Sequence, residues 1–262
     1  MYLTSQNITF FKILTVLFLL FCTLNFNVQA KELKYITLAP SLTEIIYAIN
    51  AQDNLIAGVA WNKKLMKGKP VIGDAFFINN EALVKFHPDI IFALEYQKPV
   101  IDSLKPSGTK IYYFSFNSIN DIYKTITVIG NLTNHTRNSN NLRKKLSGDI
   151  NKYKAKKPKN ILFVIQPEPL ISVGKRSYIS DIIKQAGQIN ILDNLDNDYP
   201  RINLEYVIKR NPDLIIVWDE MTEDYLKKYL HSKFVILKPA ESDSINRPGP
   251  GVVNAVKFFS NL

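Results

Sequence analysis

Hydrophobic and polar residues follow two different periods along the chain, and the change of period predicts strands and helices in turn. The apolar run at residues 34–38 is typical of a buried strand in a parallel sheet. Residues 45–49 continue an amphipathic segment that predicts a helix, with Ser41 or Thr43 as its N-cap. The same order resumes at residues 160–165 in the second half of the chain. This alternation predicts an α/β fold with parallel sheets.

The middle of the chain has a helical period only. Apolar residues keep helical spacing over residues 122–132 and again over 142–153, and no proline interrupts them. We therefore predict one long, stiff helix over residues 118–157, with a kink as the alternative, because Gly130 and an Asn-rich middle weaken the helical pattern. It would join an N-terminal lobe at residues 31–117 to a C-terminal lobe at residues 158–262.

A short phrase occurs twice, at residues 79–92 and at residues 203–217. Glu81 and Glu205 lie 124 residues apart, and the prolines of the two copies are separated by the same 124 residues. Each copy predicts an Asn-capped helix with a Glu near its positive end, which stops before Pro-Asp and leads into a buried strand. A phrase repeated only twice suggests two similar lobes rather than a solenoid. Two lobes leave a cleft between them, where ligands bind.

A weaker repeat supports the duplication. Residues 180–183 (Ser-Asp-Ile-Ile) echo residues 43–46 (Thr-Glu-Ile-Ile). Both segments stand near the start of a predicted helix that follows a predicted strand. The two halves therefore share a second local pattern.

The first 30 residues predict an export signal. Lys12 leads into an apolar stretch at residues 13–21, too short for a spanning helix, and a small-residue cleavage site ends the segment. Phe21 before Cys22 does not match the small residue of a lipoprotein signal, which favours an exported protein without a lipid anchor. The single cysteine would leave with the signal, which excludes disulfides, a thiolate nucleophile and a Cys-based zinc site. A periplasmic location follows.

The charge is strongly basic, with a net value of +10. Lys12 is the one charged residue of the predicted signal, so the processed chain would carry +9. The basic residues are spread along polar stretches such as residues 143–159 and form no aromatic-basic motif. This distribution indicates a solvated surface rather than a nucleic-acid partner.

Taken together, these motifs resemble the periplasmic substrate-binding proteins of ABC importers, in the branch that carries cobalamin, iron–siderophore complexes and haem. The resemblance covers residues 36–44, residues 73–76 leading into Glu81, both Pro-Asp phrases and residues 247–250. It implies two Rossmann-like lobes joined by one long interlobe helix. It also implies a receptor that delivers a small molecule to a permease dimer with its ATPase subunits and holds no resident cofactor.

The details are most similar to cobalamin-binding members, and an iron–siderophore or haem ligand is the alternative. A large, flat and partly apolar ligand needs aromatic faces and a few polar groups at the rim. The resemblance implies that the ligand-binding residues are Trp61, Asn62, Phe76, Tyr96, Tyr199, Asp243 and Arg247. Trp218 is a further aromatic candidate, although each aromatic residue could equally pack in a core. Asn62 stands where a tyrosine is usual, and Asp74 stands where haem-binding relatives carry a tyrosine.

Glu81 and Glu205 have a separate role by the same resemblance. One carboxylate on each lobe would meet arginines on each half of the dimeric permease, and such charge-assisted bonds set register and steer approach. The alternative is simple stabilisation of a helix end. ATP hydrolysis would belong to another subunit, because this chain has no Gly-x-x-x-x-Gly-Lys loop.

Three other classes of protein fit the sequence less well. The chain has no Gly-x-Ser-x-Gly elbow, His-Glu-x-x-His motif or dinucleotide fingerprint, so no enzyme activity and no catalytic residue are predicted. His87, His135 and His231 are scattered, which disfavours a direct metal-ion receptor, and no metal site is predicted. The paired glutamates argue against an adhesion or scaffold protein.

Overall fold

The computed structural model describes residues 32–59, 63–66, 68–74, 77–104 and 108–262. The predicted export signal with Cys22, and the predicted ligand residues Trp61, Asn62 and Phe76, lie outside the described residues. Leu33–Leu262 form one compact unit. Among the residues described, no helix combines the length and hydropathy needed to cross a bilayer.

The first sheet is parallel throughout. Its strands are β1 (Tyr35–Thr37), β2 (Leu55–Gly58), β3 (Ile90–Leu94) and β4 (Lys110–Phe114). They lie side by side in the order β2-β1-β3-β4. We use "N-terminal lobe" for the part of the chain built on this sheet.

The second sheet is parallel except at one edge. Its strands are β5 (Asn160–Pro167), β6 (Leu170–Ser172), β7 (Ile189–Asn190), β8 (Leu214–Val217) and β9 (Lys233–Ile236). Strand β5 pairs in parallel with β7 and β8, β8 pairs in parallel with β9, and β6 turns back antiparallel onto β5. We use "C-terminal lobe" for the part built on this sheet.

Helices alternate with these strands, as the change of period predicts. They are α1 (Pro40–Ala48), α2 (Lys63–Met66), α3 (Asn80–Lys85), a 3-10 turn (Glu95–Gln97), α4 (Lys98–Leu104), α5 (Ile119–Leu132), α6 (Thr136–Ile150), α7 (Tyr178–Gln185), α8 (Leu204–Arg210), α9 (Glu220–Lys227), α10 (Pro239–Asn246) and α11 (Val252–Ser260). The predicted α/β class with parallel sheets is confirmed.

Helix α1 begins differently from the prediction. Its N-cap is Ala39, no side chain caps it, and Pro40 occupies the first turn. Pro at this position lacks an N–H that would need a partner, and its fixed φ already suits a helix. The predicted cap by Ser41 or Thr43 is therefore wrong. The buried Thr43 hydroxyl instead lies 3.0 Å from the carbonyl oxygen of Val59, which ties α1 to the end of β2.

The predicted long connecting helix is divided into two helices, α5 and α6. Asn134 lies between them with a left-handed φ of 60°, a conformation that Asn tolerates better than most residues. The two helices approach closely at Gly130. A Cβ at this position would lie only 2.3 Å from Ser139 Oγ, so the approach requires a glycine. We keep the predicted boundaries of 31–117, 118–157 and 158–262 as a proposal.

The connector shares one hydrophobic core with both sheets. Ile126 on α5 and Leu146 on α6 belong to the same buried cluster as Phe92 of β3 and Phe163 of β5. On the N-terminal side, the Asn138 amide donates to the carbonyl oxygen of Ile49 over 2.8 Å. Apolar packing is lost when such contacts separate, so the connector resists large movements of one lobe against the other.

The repeated phrase folds alike in both lobes. Asn79 Oδ1 accepts a hydrogen bond from the Ala82 amide over 3.0 Å, and Asn203 Oδ1 accepts one from the Tyr206 amide over 2.8 Å. The predicted Asn caps of α3 and α8 are confirmed. Each cap satisfies an amide that the first turn of a helix leaves without a partner.

The aspartates of the repeated phrase also accept equivalent backbone hydrogen bonds in the two lobes. Asp89 Oδ2 accepts a hydrogen bond from the Lys34 amide over 2.9 Å, just before β1. Asp213 Oδ2 accepts one from the Asn160 amide over 2.7 Å, at the start of β5. In both lobes the aspartate side chain therefore holds the beginnings of two neighbouring strands side by side.

Candidate functional site

A cleft of about 760 Å³ opens between the two lobes. It is lined by Ala39, Pro40, Ser41, Leu94, Glu95, Tyr96, Phe114, Ser115, Phe116, Tyr199, Ser242, Asp243, Asn246, Arg247 and Pro248. The lining residues from the N-terminal lobe lie at or just after the carboxyl ends of β1, β3 and β4. Parallel strands present these ends at one edge of the sheet, which is where open α/β sheets bind ligands.

The C-terminal lobe contributes a loop and a helix to the cleft. Tyr199 stands in the segment before α8 and is exposed, while Asp243 lies on α10 and Arg247 caps its end. The structure thus brings Tyr96, Tyr199, Asp243 and Arg247 into one cleft, although they are far apart in the chain. Their contact with a ligand remains a prediction.

Arg247 forms ion pairs with one carboxylate from each lobe. Its Nη1 lies 3.2 Å from Oε1 of Glu44 on α1, and its Nη2 lies 3.0 Å from Oδ2 of Asp243. The side chains of Arg247 and Glu44 are each only 24% exposed. An ion pair shielded in this way holds its geometry better than one on an open surface. The guanidinium therefore faces two carboxylates before any ligand arrives.

Glu44 pairs with a residue that lines the cleft, although the sequence analysis did not single it out. It appears there only as part of a helix-start motif, and its partner Arg247 is remote in sequence. Burial raises the pKa of Glu44, the Arg247 guanidinium opposes that rise, and the Asp243 carboxylate adds to it. The pKa of this carboxyl group lies above its ordinary value as a result.

The two cleft tyrosines are neutral hydrogen-bond donors at neutral pH. Partial desolvation raises the pKa of Tyr96, and it also raises the pKa of Tyr199, with a contribution from the Asp198 carboxylate. A phenol with a raised pKa keeps its proton. Both residues therefore line the cleft as neutral aromatic side chains.

Trp218 has a different place from the other aromatic candidates. It is partly buried against the main core, and its ring meets Phe163 edge to face with centroids 5.2 Å apart. Trp218 is not among the residues that line the cleft. Trp218 therefore packs against the core at the end of β8 rather than facing the cleft.

Glu81 and Glu205 are both exposed. Each occupies the first turn of its helix, α3 or α8. Their backbone position fits the helix-end role, and their exposure leaves the carboxylates accessible to a partner. Docking to a permease remains a prediction.

The described part of the chain contains no group of three or more His, Cys, Asp or Glu residues placed to hold a metal ion. His135 has a local contact instead. Its Nδ1 lies 2.6 Å from the carbonyl oxygen of Thr133, at the break between α5 and α6.

Known proteins resemble this chain over most of its length. A vitamin B12-binding protein of Vibrio vulnificus is 27% identical over 265 residues, which cover 94% of each chain. The high-affinity heme uptake system protein IsdE of Staphylococcus aureus is 24% identical over 234 residues, covering 85% of this chain and 80% of its own. A solved structure of a possible iron-binding periplasmic solute-binding protein from Staphylococcus epidermidis has a TM-score of 0.75 at 26% identity, covering 88% of this chain and 98% of its own.

These relatives are binding proteins of one class, and their names include both vitamin B12 and heme. Residues 36–234 match a family described as periplasmic binding protein. Its members are substrate-binding transport proteins and not enzymes, in agreement with the prediction. The chain therefore belongs to the periplasmic binding protein family.

Proposed function

We propose that this protein captures a corrinoid, in the form of cobalamin, in the interlobe cleft and delivers it to an ABC importer. Members of the family bind small ligands and work with the permease and ATPase components of such importers. The periplasm is the proposed location, supported by the family and by the predicted export signal at residues 1–30.

The observation that carries the proposal is the composition of the cleft. Tyr96 comes from the N-terminal lobe and Tyr199 from the C-terminal lobe, so each side contributes an aromatic ring. Leu94 and Phe116 add apolar surface on the first side. A corrin ring is broad and partly apolar and carries amides at its edge, which matches aromatic walls with polar groups at the rim.

Charge supports a corrinoid over haem. The charged residues that line the described cleft are Glu95, Asp243 and Arg247, and Arg247 is already paired with Asp243 and Glu44. Haem carries two propionate carboxylates, which would meet this acidic set without an unpaired cation among the described lining residues. The neutral amides of a corrinoid avoid that repulsion.

Calorimetric titration of the processed chain with cyanocobalamin, haem and a ferric siderophore tests the proposal. Cyanocobalamin should bind in a saturable way, and haem at least about tenfold more weakly, a difference of about 1.4 kcal/mol. Tighter binding of haem or of the siderophore would identify that ligand as the cargo in place of cobalamin. No binding of any of the three would overturn the proposal.

Variants sharpen the assignment to the cleft. Tyr96→Ala and Tyr199→Ala each remove an aromatic face and should weaken cobalamin binding by about tenfold. Tyr229→Ala is the matched control, because Tyr229 is also an exposed tyrosine but does not line the cleft. An equal loss in all three variants would place the ligand elsewhere.

Glu81 and Glu205 complete the proposal as the docking residues. Their carboxylates are exposed in matching positions on the two lobes, and a permease dimer would present two matching arginine sites. Two equal acidic positions on one chain suit two identical subunits of a partner.

A further inference from the structure

A second groove lies between the two connector helices. It has a volume of about 400 Å³ and is lined by Tyr123 from α5 and by Asn140, Arg143, Lys144 and Ser147 from α6. It shares no residue with the interlobe cleft. Every lining side chain can donate a hydrogen bond, two of them are cations, and none is acidic.

In the part of the chain that the structure describes, the two cations of the groove have no ion-pair partner, unlike neighbouring cations of the connector. Lys124 on α5 pairs with Asp121 over 3.0 Å, and Lys152 just after α6 pairs with Asp149 over 2.6 Å. Within the described residues, Arg143 has no ion-pair partner, and its Nε is buried without a hydrogen-bond acceptor. A buried guanidinium N–H without an acceptor is costly, so such a group indicates a missing acceptor.

The donors converge on one place. Burial raises the pKa of Tyr123, while a hydrogen bond with Ser147 and the Arg143 charge lower it, so Ser147 and Arg143 both act at the Tyr123 hydroxyl. The Asp181 carboxylate also acts there, but its Oδ2 accepts a hydrogen bond from the Ile119 amide over 2.7 Å. The described lining of the groove contains no carboxylate, so an acceptor of opposite charge would come from outside the chain.

We propose that this groove binds an oxyanion of the phosphate class, either free phosphate or a phosphate ester. The Arg143 fork fits the oxygens of a tetrahedral anion, the Lys144 ammonium supplies a point charge, and the neutral donors satisfy the remaining oxygens. The ligand would bridge α5 and α6, the two helices that share a core with both lobes. This site is independent of the cargo and of permease docking.

Titration of the wild-type chain with inorganic phosphate tests the site, with chloride used to keep the ionic strength constant. The melting temperature should rise in a saturable way, because a ligand that binds only the folded state stabilises it. The NMR resonance of the Arg143 Nε–H should shift with the same midpoint. Arg143→Gln should weaken phosphate binding by about tenfold or more, as expected for the loss of a charge-assisted hydrogen bond.

A matched pair of cations on the same helix provides the control. Arg137 and Lys145 are exposed on α6 and do not line the groove. The Arg137→Gln/Lys145→Gln variant has the same net charge as Arg143→Gln/Lys144→Gln, and it should keep the phosphate response that the latter loses. Equal losses in both double variants would mean a general surface-charge effect and would overturn the proposal, as would a wild-type chain with no saturable response.

Vesicles separate the two sources of phosphate. Vesicles of phosphatidylglycerol should compete with inorganic phosphate if the groove takes a lipid headgroup, while phosphatidylcholine vesicles serve as the neutral comparison. Absence of competition, together with the phosphate response, would assign the groove to a soluble phosphate compound. Either result supports the oxyanion site.

Discussion

The two lobes agree where the chain turns from helix to strand and differ where the cleft is built. Both copies of the Asn-Glu…Pro-Asp phrase make the same cap and the same aspartate-to-strand hydrogen bond. The weaker repeat behaves differently. Glu44 of the first copy pairs with Arg247 across the cleft, whereas Asp181 of the second accepts the Ile119 amide at the start of the connector. The repeated phrase therefore forms the same helix-to-strand structure in both lobes. The acidic residues of the weaker repeat make different contacts in each lobe.

The largest expected effect concerns the paired glutamates. The Glu81→Ala/Glu205→Ala variant should lose at least about a hundredfold in affinity for the permease complex, because two charge-assisted contacts disappear. Its affinity for cobalamin should not change, since neither residue lines the cleft. Surface plasmon resonance with the permease–ATPase complex in nanodiscs measures the first quantity and calorimetry the second.

The single variants test whether the lobes are equivalent in docking. Glu81→Ala and Glu205→Ala should cause similar losses, and Glu220→Ala is the control, as an exposed glutamate in the first turn of α9. Normal docking by the double variant would refute the docking role. Strongly unequal single variants would break the symmetry between the lobes.

The next effect is on stability. Asp89→Ala and Asp213→Ala should each lower the free energy of unfolding by about 0.5–1.5 kcal/mol, because each removes the side-chain acceptor of a strand-entry amide. Asp193→Ala, at an exposed loop position, should change it by less than about 0.5 kcal/mol. Urea unfolding followed by circular dichroism gives the three values, and a loss confined to one lobe would show that the two hydrogen bonds are not equivalent.

A smaller effect concerns the residue before each proline. His87 and Asn211 both have a left-handed φ of 45°, which costs most residues about 1–2 kcal/mol but is tolerated by Asn. His87→Gly should therefore stabilise the protein by about 0.5 kcal/mol after the added entropy of the unfolded chain. Asn211→Gly should have almost no effect. Thermal unfolding compares the two variants, and equal shifts would contradict this explanation.

The last prediction is a pH-dependent change in stability at the Glu44–Arg247 ion pair, which the second copy of the weaker repeat does not form. Burial holds the folded-state pKa of Glu44 above the ordinary value of 4.5. A raised carboxyl pKa contributes stability at low pH that is lost as the pH rises through the folded-state value. The stability of the wild type relative to Glu44→Gln should therefore fall as the pH rises from the ordinary pKa of 4.5 through the higher folded-state pKa. Urea unfolding at a series of pH values measures it, and a rising difference would mean that pairing with Arg247 outweighs burial.

The connector shows where sequence reasoning stops. Apolar residues keep helical spacing on both sides of residues 133–135, so the period alone predicts one helix. The break depends on Asn134 taking a left-handed conformation and on Gly130 allowing Ser139 to approach. Neither requirement leaves a mark on the hydrophobic pattern. The helical nature of the segment was predictable, and its division was not.

Local order could be read from the chain because its causes are local. An Asn cap bonds to an amide three residues away, a proline ends the helix beside it, and a strand shows as a run of apolar neighbours. The family motifs consist of such segments, so the fold and the family followed from them. The pairing of Glu44 with Arg247, the meeting of Tyr96 with Tyr199 in one cleft, and the packing of Trp218 against Phe163 each join residues that are distant in the chain. These contacts were decided by how the sheets and connector pack, since burial and pairing depend on the surface that each side chain faces.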